Sequence, residues 1–279
     1  MNHSYPYPDT FDSLLPQTHT VILLHPRGSH GRILAHTIID SCTSEGHNLS
    51  YTFPTVKFIF PTAKKRPATS FGGITIRQWF DYHSLEEIRV REYLQFEGLI
   101  ETTHFVHDLI RREVEDGIDI GNIVLGGVGQ GCAASLYALL AFDGRLGGYV
   151  GISGWFPFVA YLQDVLQEGE NEKWRVIDSL NLIRGYIDFL PLQYDVDEIP
   201  VLRTPVFICH GEEDDRVDVS LGKEIVDVLR RLSMDVTWKT YVNSRYWFKA
   251  SDEMKDFVDF LKTKVETLRD AETFVELLY

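Results

Sequence analysis

The stretch Ile123-Val124-Leu125-Gly126-Gly127-Val128-Gly129-Gln130-Gly131-Cys132 decides how this chain is read. A short apolar run enters a cluster of glycines and leaves into Cys132 to Phe142, which is nearly all apolar. That order predicts a buried strand, a tight turn and a buried helix. Gly127-Val128-Gly129-Gln130-Gly131 has the spacing of the nucleophile elbow G-x-S-x-G, with glycine where the serine belongs. The outer glycines suit a turn in which any side chain would collide with the neighbouring strand and helix. The central residue of such a turn sits at strained, positive φ, which serine chemistry normally justifies. With glycine at the centre, the strain is relieved and the nucleophile is gone. The rival reading of a glycine-rich turn is a phosphate loop. It finds no G-x-x-x-x-G-K-[ST], and no G-x-G-x-x-G with an acidic partner after a second strand.

Working outward, other short apolar runs end in loops: Val21 to Leu24 in His25-Pro26-Arg27-Gly28, and Val56 to Phe60 at Pro61. Gly148 to Ile152 runs into Ser153-Gly154-Trp155, Val206 to Cys209 into His210-Gly211, and Val236 to Tyr241 forms a last, more alternating strand. Leu94–Val114, Leu221–Leu232 and Met254–Leu268 carry apolar residues at helical spacing. Uninterrupted apolar strands separated by helices predict an α/β fold, a mostly parallel central sheet with helices on both faces. Its ligand site belongs at the carboxyl ends of the strands, where these loops lie. The length suits a single domain over residues 1–279. One segment, 156–202, breaks the rhythm with an acidic patch and aromatics. It reads equally as a lid or cap over the site and as an ordinary connection containing a helix or two.

Composition narrows the partners. A net charge of −14 argues against nucleic acid and against an anionic membrane surface, both of which need clustered Lys and Arg. No apolar run approaches the ~20 residues of a membrane span. The N-terminus lacks the pattern of a secretory signal. Three scattered cysteines, Cys42, Cys132 and Cys209, suit reduced thiols in a cytoplasmic setting. No cluster has zinc-ligand spacing, so neither a metal nor a cofactor is expected.

Several stretches, taken together and in order, are specific. They are Val21 to Ser29, Phe60 to Ala63 with Arg66-Pro67, Gln78-Trp79-Phe80-Asp81, Gly126 to Cys132, Gly151 to Trp155, and His210-Gly211 followed by Asp214 and Val217. From about Thr20 to Leu261 the chain resembles the acyl-protein thioesterase/carboxylesterase (phospholipase/carboxylesterase) family, in its fungal-like branch. The resemblance implies the α/β-hydrolase fold and a serine–histidine–aspartate triad. Asp214 matches the aspartate, with a loop acid among Glu212, Glu213 and Asp215 as the bland alternative. The histidine position holds Tyr246, in Asn243-Ser244-Arg245-Tyr246-Trp247, and no histidine follows His210 anywhere in the chain. Catalytic serine and histidine are therefore both replaced, and the order nucleophile, acid, base cannot be completed.

By the same match, the carbonyl-holding backbone donors are the N–H groups of Gln130 and Arg27, with Pro26 in place of the usual glycine. His25 is a structural residue of the oxyanion loop. Cys132 and Ser135 enter the helix core and read as buried structural groups, not as substitute nucleophiles. Trp79, Trp155, Phe156 and Trp247 read equally as aromatic pocket walls and as core. The expectation drawn from this set is a non-hydrolytic enzyme, a cyclase, isomerase or lyase of fungal specialised metabolism. It would act on a hydrophobic polyketide- or terpenoid-like small molecule through Asp214 and Tyr246, with room left by Gly129. The alternatives are a catalytically silent small-molecule-binding protein and a serine esterase or thioesterase captured as an inactive variant. A homodimer is compatible with either.

Overall fold

A computed structural model describes residues 4–41, 48–84, 86–168, 171–193, 198–242, 244 and 251–264. Seven strands form the main sheet: β1 (Asp9–Phe11), β2 (His19–Leu24), β3 (Val56–Phe60), β6 (Ile123–Val128), β7 (Gly148–Ile152), β8 (Val206–Gly211) and β9 (Val236–Tyr241). Their order is β1-β3-β2-β6-β7-β8-β9. Only β1 runs antiparallel, against β3. A separate hairpin, β4 (Lys65–Ala68) with β5 (Ile74–Arg77), follows β3.

Alternation along each strand divides the core. Ile22 and Leu24 of β2 point to the face covered by α3 (Phe96–Glu115), α4 (Gln130–Leu140), α5 (Val159–Gln167), α6 (Glu172–Tyr186) and α7 (Val219–Arg231). Val21 and Leu23 point to the other, under α1 (Gly31–Ile39) and α8 (Ser251–Lys264), with the short α2 (Leu49–Thr52) beside α1. β6 and α4 are buried at every residue. The β-branched and apolar run of β6 is the one that both layers can cover.

The segment 156–202 supplies α5 and α6. At its end, Arg184 Nη1 donates to the Ala141 carbonyl at 2.9 Å and pairs with Asp143 at 2.9 Å. Ala141 caps the carboxyl end of α4, about 18 Å along the helix from Gly129. α5 packs on α6 and α7. These contacts join α5 and α6 to the helical layer that covers this face of the sheet.

At the amino ends of the strands, remote from the elbow, a buried carboxylate ties α3 to the sheet. Glu113 accepts from Lys57 Nζ at 2.7 Å, Thr20 Oγ1 at 2.8 Å and Gln17 Nε2 at 3.0 Å. Burial alone would raise its pKa, but these three donors hold it below the ordinary value. A carboxylate depressed in the folded state stabilises above its unfolded pKa, and that contribution fades as pH falls through the folded value. Glu113→Gln is expected to lower the unfolding free energy by about 3 kcal/mol at pH 7 in urea titration. The gap to the parent should shrink below about pH 4.5; equal midpoints at pH 7 would contradict this role.

Candidate active site

Gly129 begins α4 at φ 57° and ψ −119°. The turn has kept the positive φ that a nucleophile elbow imposes, although glycine stands there. What enforces it is backbone proximity on both sides. A methyl at Gly131 would sit 2.2 Å from the Leu24 carbonyl oxygen, and one at Gly127 would sit 2.4 Å from the Gly131 carbonyl. The Gly129 N–H donates to Ile152 O at 2.9 Å, which locks the turn to β7. The N–H groups of the first turn of α4, from Gln130 onward, have no acceptor within the helix.

The second predicted donor, Arg27, lies in the loop after β2. There His25 acts as expected. Its Nδ1–H donates to Pro26 O at 2.7 Å, and its Nε2 accepts from Ala63 N at 3.0 Å. Burial brings its pKa down to about 4, so the ring is neutral at physiological pH. The backbone N–H of Gly28 donates to Arg77 O at 2.8 Å.

The segment 78–82, immediately after β5, touches both donor residues. Gln130, 1% exposed, accepts from Trp79 N at 2.9 Å through Oε1 and donates from Nε2 to Phe80 O at 2.7 Å. Trp79 Nε1 donates to His25 O at 2.7 Å. Arg27 donates to Gln78 Oε1 at 2.8 Å, and its guanidinium lies 4.1 Å from the Tyr82 ring centre. The Gln78-Trp79-Phe80-Asp81 motif thus fixes the spacing between the two loops. Its role is hidden in the sequence because its partners are backbone and amide groups some fifty positions away.

Asp214 stands after β8 with its side chain fully buried. Oδ1 accepts from Arg216 N at 2.9 Å and Val217 N at 3.0 Å. Oδ2 is 3.5 Å from His210 Nε2, whose short contact, 2.7 Å, is to Val217 O. Oδ2 is thereby left without a well-directed hydrogen bond among the described residues. Burial alone would raise its pKa, but His210, the Val217 and Arg216 N–H groups and Ser153 together hold it below the usual carboxylate range. An ionised, buried carboxylate with one oxygen open is the arrangement that orients an imidazole in a triad. Nothing in the sequence marks His210 or Ser153 as a neighbour of this carboxylate.

The aromatic residues divide differently from the pocket-wall reading. Trp79 is fully buried and committed to His25 and Gln130, so it is scaffold. Trp155 meets Phe80 and Tyr82 edge-on, and Phe156 meets Tyr137, all within the core. All three are buried in the core, the second of the two readings that the sequence left open for them. Tyr246, Trp247 and Cys42 lie outside the described residues.

Comparison with known proteins decides the lineage. The phospholipase/carboxylesterase family model matches residues 7–169. The chain belongs to the phospholipase/carboxylesterase family. A prolyl oligopeptidase family model also matches residues 121–267, from the strand before the elbow onward. Acyl-protein thioesterase 1 of Gibberella zeae is 30% identical over 237 residues, covering 84% of this chain and 86% of that one. Its counterpart in Emericella nidulans is 28% identical over 258 residues, covering 89% and 91%. The fold is that of Zea mays acyl-protein thioesterase 2 (TM-score 0.66, 20% identity, 94% of this chain and 100% of that one). It is shared by Arabidopsis thaliana SOBER1 (TM-score 0.65, 21% identity, 89% and 99%). These relatives overturn the expectation of a non-hydrolytic cyclase, isomerase or lyase of specialised metabolism. The named thioesterases are hydrolases, and the lineage is one of esterases and thioesterases. Among the described residues, no helix is long and apolar enough to cross a membrane.

Cys132 is fully enclosed, and burial pushes its thiol up to about 12. Tyr149 Oη donates to its carbonyl at 2.8 Å and lies 3.6 Å from Sγ. Iodoacetamide at pH 7.5 should therefore leave Cys132 unmodified in the native protein and label it in guanidinium, as read by peptide mass spectrometry. Native labelling would contradict its assignment as packing. Gly131→Ala should destabilise by at least about 3 kcal/mol in thermal unfolding, because the clash is with backbone that cannot rotate away.

Proposed function

We propose that the protein is an esterase or thioesterase of its family in an inactive form. It recognises acyl esters or thioesters at the carboxyl ends of the strands and lacks the two groups that would cleave them. One observation carries this reading: Gly129 keeps the elbow conformation, at φ 57°, around a nucleophile that is not there. An elbow of that shape serves to aim backbone N–H groups at an acyl carbonyl, here those of Gln130 and Arg27. Gly129 offers no hydroxyl for acyl transfer, and no histidine follows Asp214 to relay a proton. Asp214, which this reading takes as the acid of the lost triad, has a buried side chain and a pKa held below the ordinary carboxylate value, which supports it. The names of the relatives support an acylated thiol as substrate, and the three scattered cysteines support a reducing, cytoplasmic setting.

The test is to return both groups. The unaltered chain should not react with a fluorophosphonate serine probe. Gly129→Ser together with Tyr246→His should take up the probe and hydrolyse p-nitrophenyl esters and acyl thioesters. Gly129→Ser alone should be slower by at least ~100-fold, since a serine without its base gains little over water. Absence of turnover in the double variant, with its fold intact by circular dichroism, would overturn the proposal. So would equal turnover in single and double variants.

A further inference from the structure

Arg27 carries more contacts than a backbone donor needs. Its Nε donates to Gln78 Oε1 at 2.8 Å and its Nη2 to Ser70 Oγ at 2.7 Å. The guanidinium carbon is 4.1 Å from the Tyr82 ring centre and 4.8 Å from that of Phe71. Ser70 and Phe71 belong to the tip joining β4 to β5, and Tyr82 to the segment beyond the hairpin. Gln78 is held in turn by donating from Nε2 to Pro67 O at 2.8 Å, on the first strand of the hairpin. A planar fork with two donors and two faces can engage four groups at once, which an ammonium or an aliphatic side chain cannot.

We infer that Arg27 is a positioning residue: its side chain clamps the loop bearing its own N–H to the β4–β5 hairpin and so fixes where that N–H points. The segment 78–82 sets the other half of the spacing through Gln130, and the guanidinium binds the first loop to the same frame. The hairpin tip, the loop after β2 and the amino end of α4 form one jig around the place of the acyl carbonyl. The proposal rests on reading Arg27 and Gln130 as the carbonyl donors. Displacement of one such donor by a fraction of an ångström weakens carbonyl polarisation and leaves binding of the acyl chain largely unchanged.

Two measurements test it. In the unaltered chain, hydrogen exchange of the Gly28 amide, bonded to Arg77 O, should quicken at least tenfold in Arg27→Ala and in Arg27→Lys. Amides in β2 and β6 should not change. Ser70→Ala, which removes a single link, should shift the Gly28 amide the same way by less. In the Gly129→Ser/Tyr246→His background, Arg27→Ala and Arg27→Lys should both cut kcat at least tenfold with KM within about twofold. Failure of lysine to rescue marks the fork, not the charge, as the operative feature. Unchanged Gly28 exchange in both arginine variants, or full rescue of kcat by lysine, would overturn the inference. If the double variant proves inert, the functional reading fails and the exchange result alone decides the role of Arg27.

Discussion

The rest of the structure depends on one close approach of backbone to backbone. Between the end of β2, the end of β6 and the start of α4 there is no room for a single methyl group: one placed on Gly131 would lie 2.2 Å from Leu24 O. That proximity forces α4 to leave the sheet at Gly129 with positive φ, and it presses the loop after β2 against the amino end of α4. Carbonyl recognition in this fold needs those two loops side by side. The geometry is therefore a consequence of packing and does not depend on the identity of residue 129. The turn therefore holds this shape with glycine at residue 129. Positive φ is costless to glycine and costs a serine about 1–3 kcal/mol, so the present turn is the less strained of the two.

The polar groups around the elbow follow from the same constraint. Buried donors and acceptors must be paired, and Gln130, His25 and Trp79 pair with one another's loops across the gap that the glycines leave. Among the described residues the exceptions at the site are Arg27 Nη1, Trp155 Nε1, His210 Nδ1 and Asp214 Oδ2. Asp214 Oδ1 is satisfied by two backbone N–H groups, while Oδ2 faces inward with no directed donor among the described residues.

Much of the architecture was legible in the sequence because it rests on long apolar runs. The parallel strands from Val21 to Tyr241 and the helices α3, α4 and α7 lie within a few residues of their expected places. The short α2 and three other parts of the fold were not legible, and for those three there is a physical reason. β1 has three residues among prolines and tyrosines and is recognisable only by its pairing with β3. The β4–β5 hairpin, reading KRPA and ITIR, lacks a buried face to impose alternation. α1 follows His30, whose ring accepts from Arg32 N in place of a usual capping side chain. At the proposed site, glycine spacing pointed to the tight turn at Gly129, which has positive φ, and family motifs pointed to Asp214, whose side chain is buried. Aromatic residues were ambiguous because a tryptophan packs a core and lines a pocket with the same chemistry. The work of Gln78 and of the Gln130 side chain was invisible because amides leave no periodic trace.

The proposed function requires an acyl carbonyl to rest on the backbone donors without being cleaved. The most direct test is the ¹³C resonance of a carbonyl-labelled acyl thioester added to the unaltered protein. The bound signal should move downfield by hydrogen bonding, with the thioester intact over hours. Release of free thiol by the unaltered chain, or a bound carbonyl at its solution shift, would contradict it.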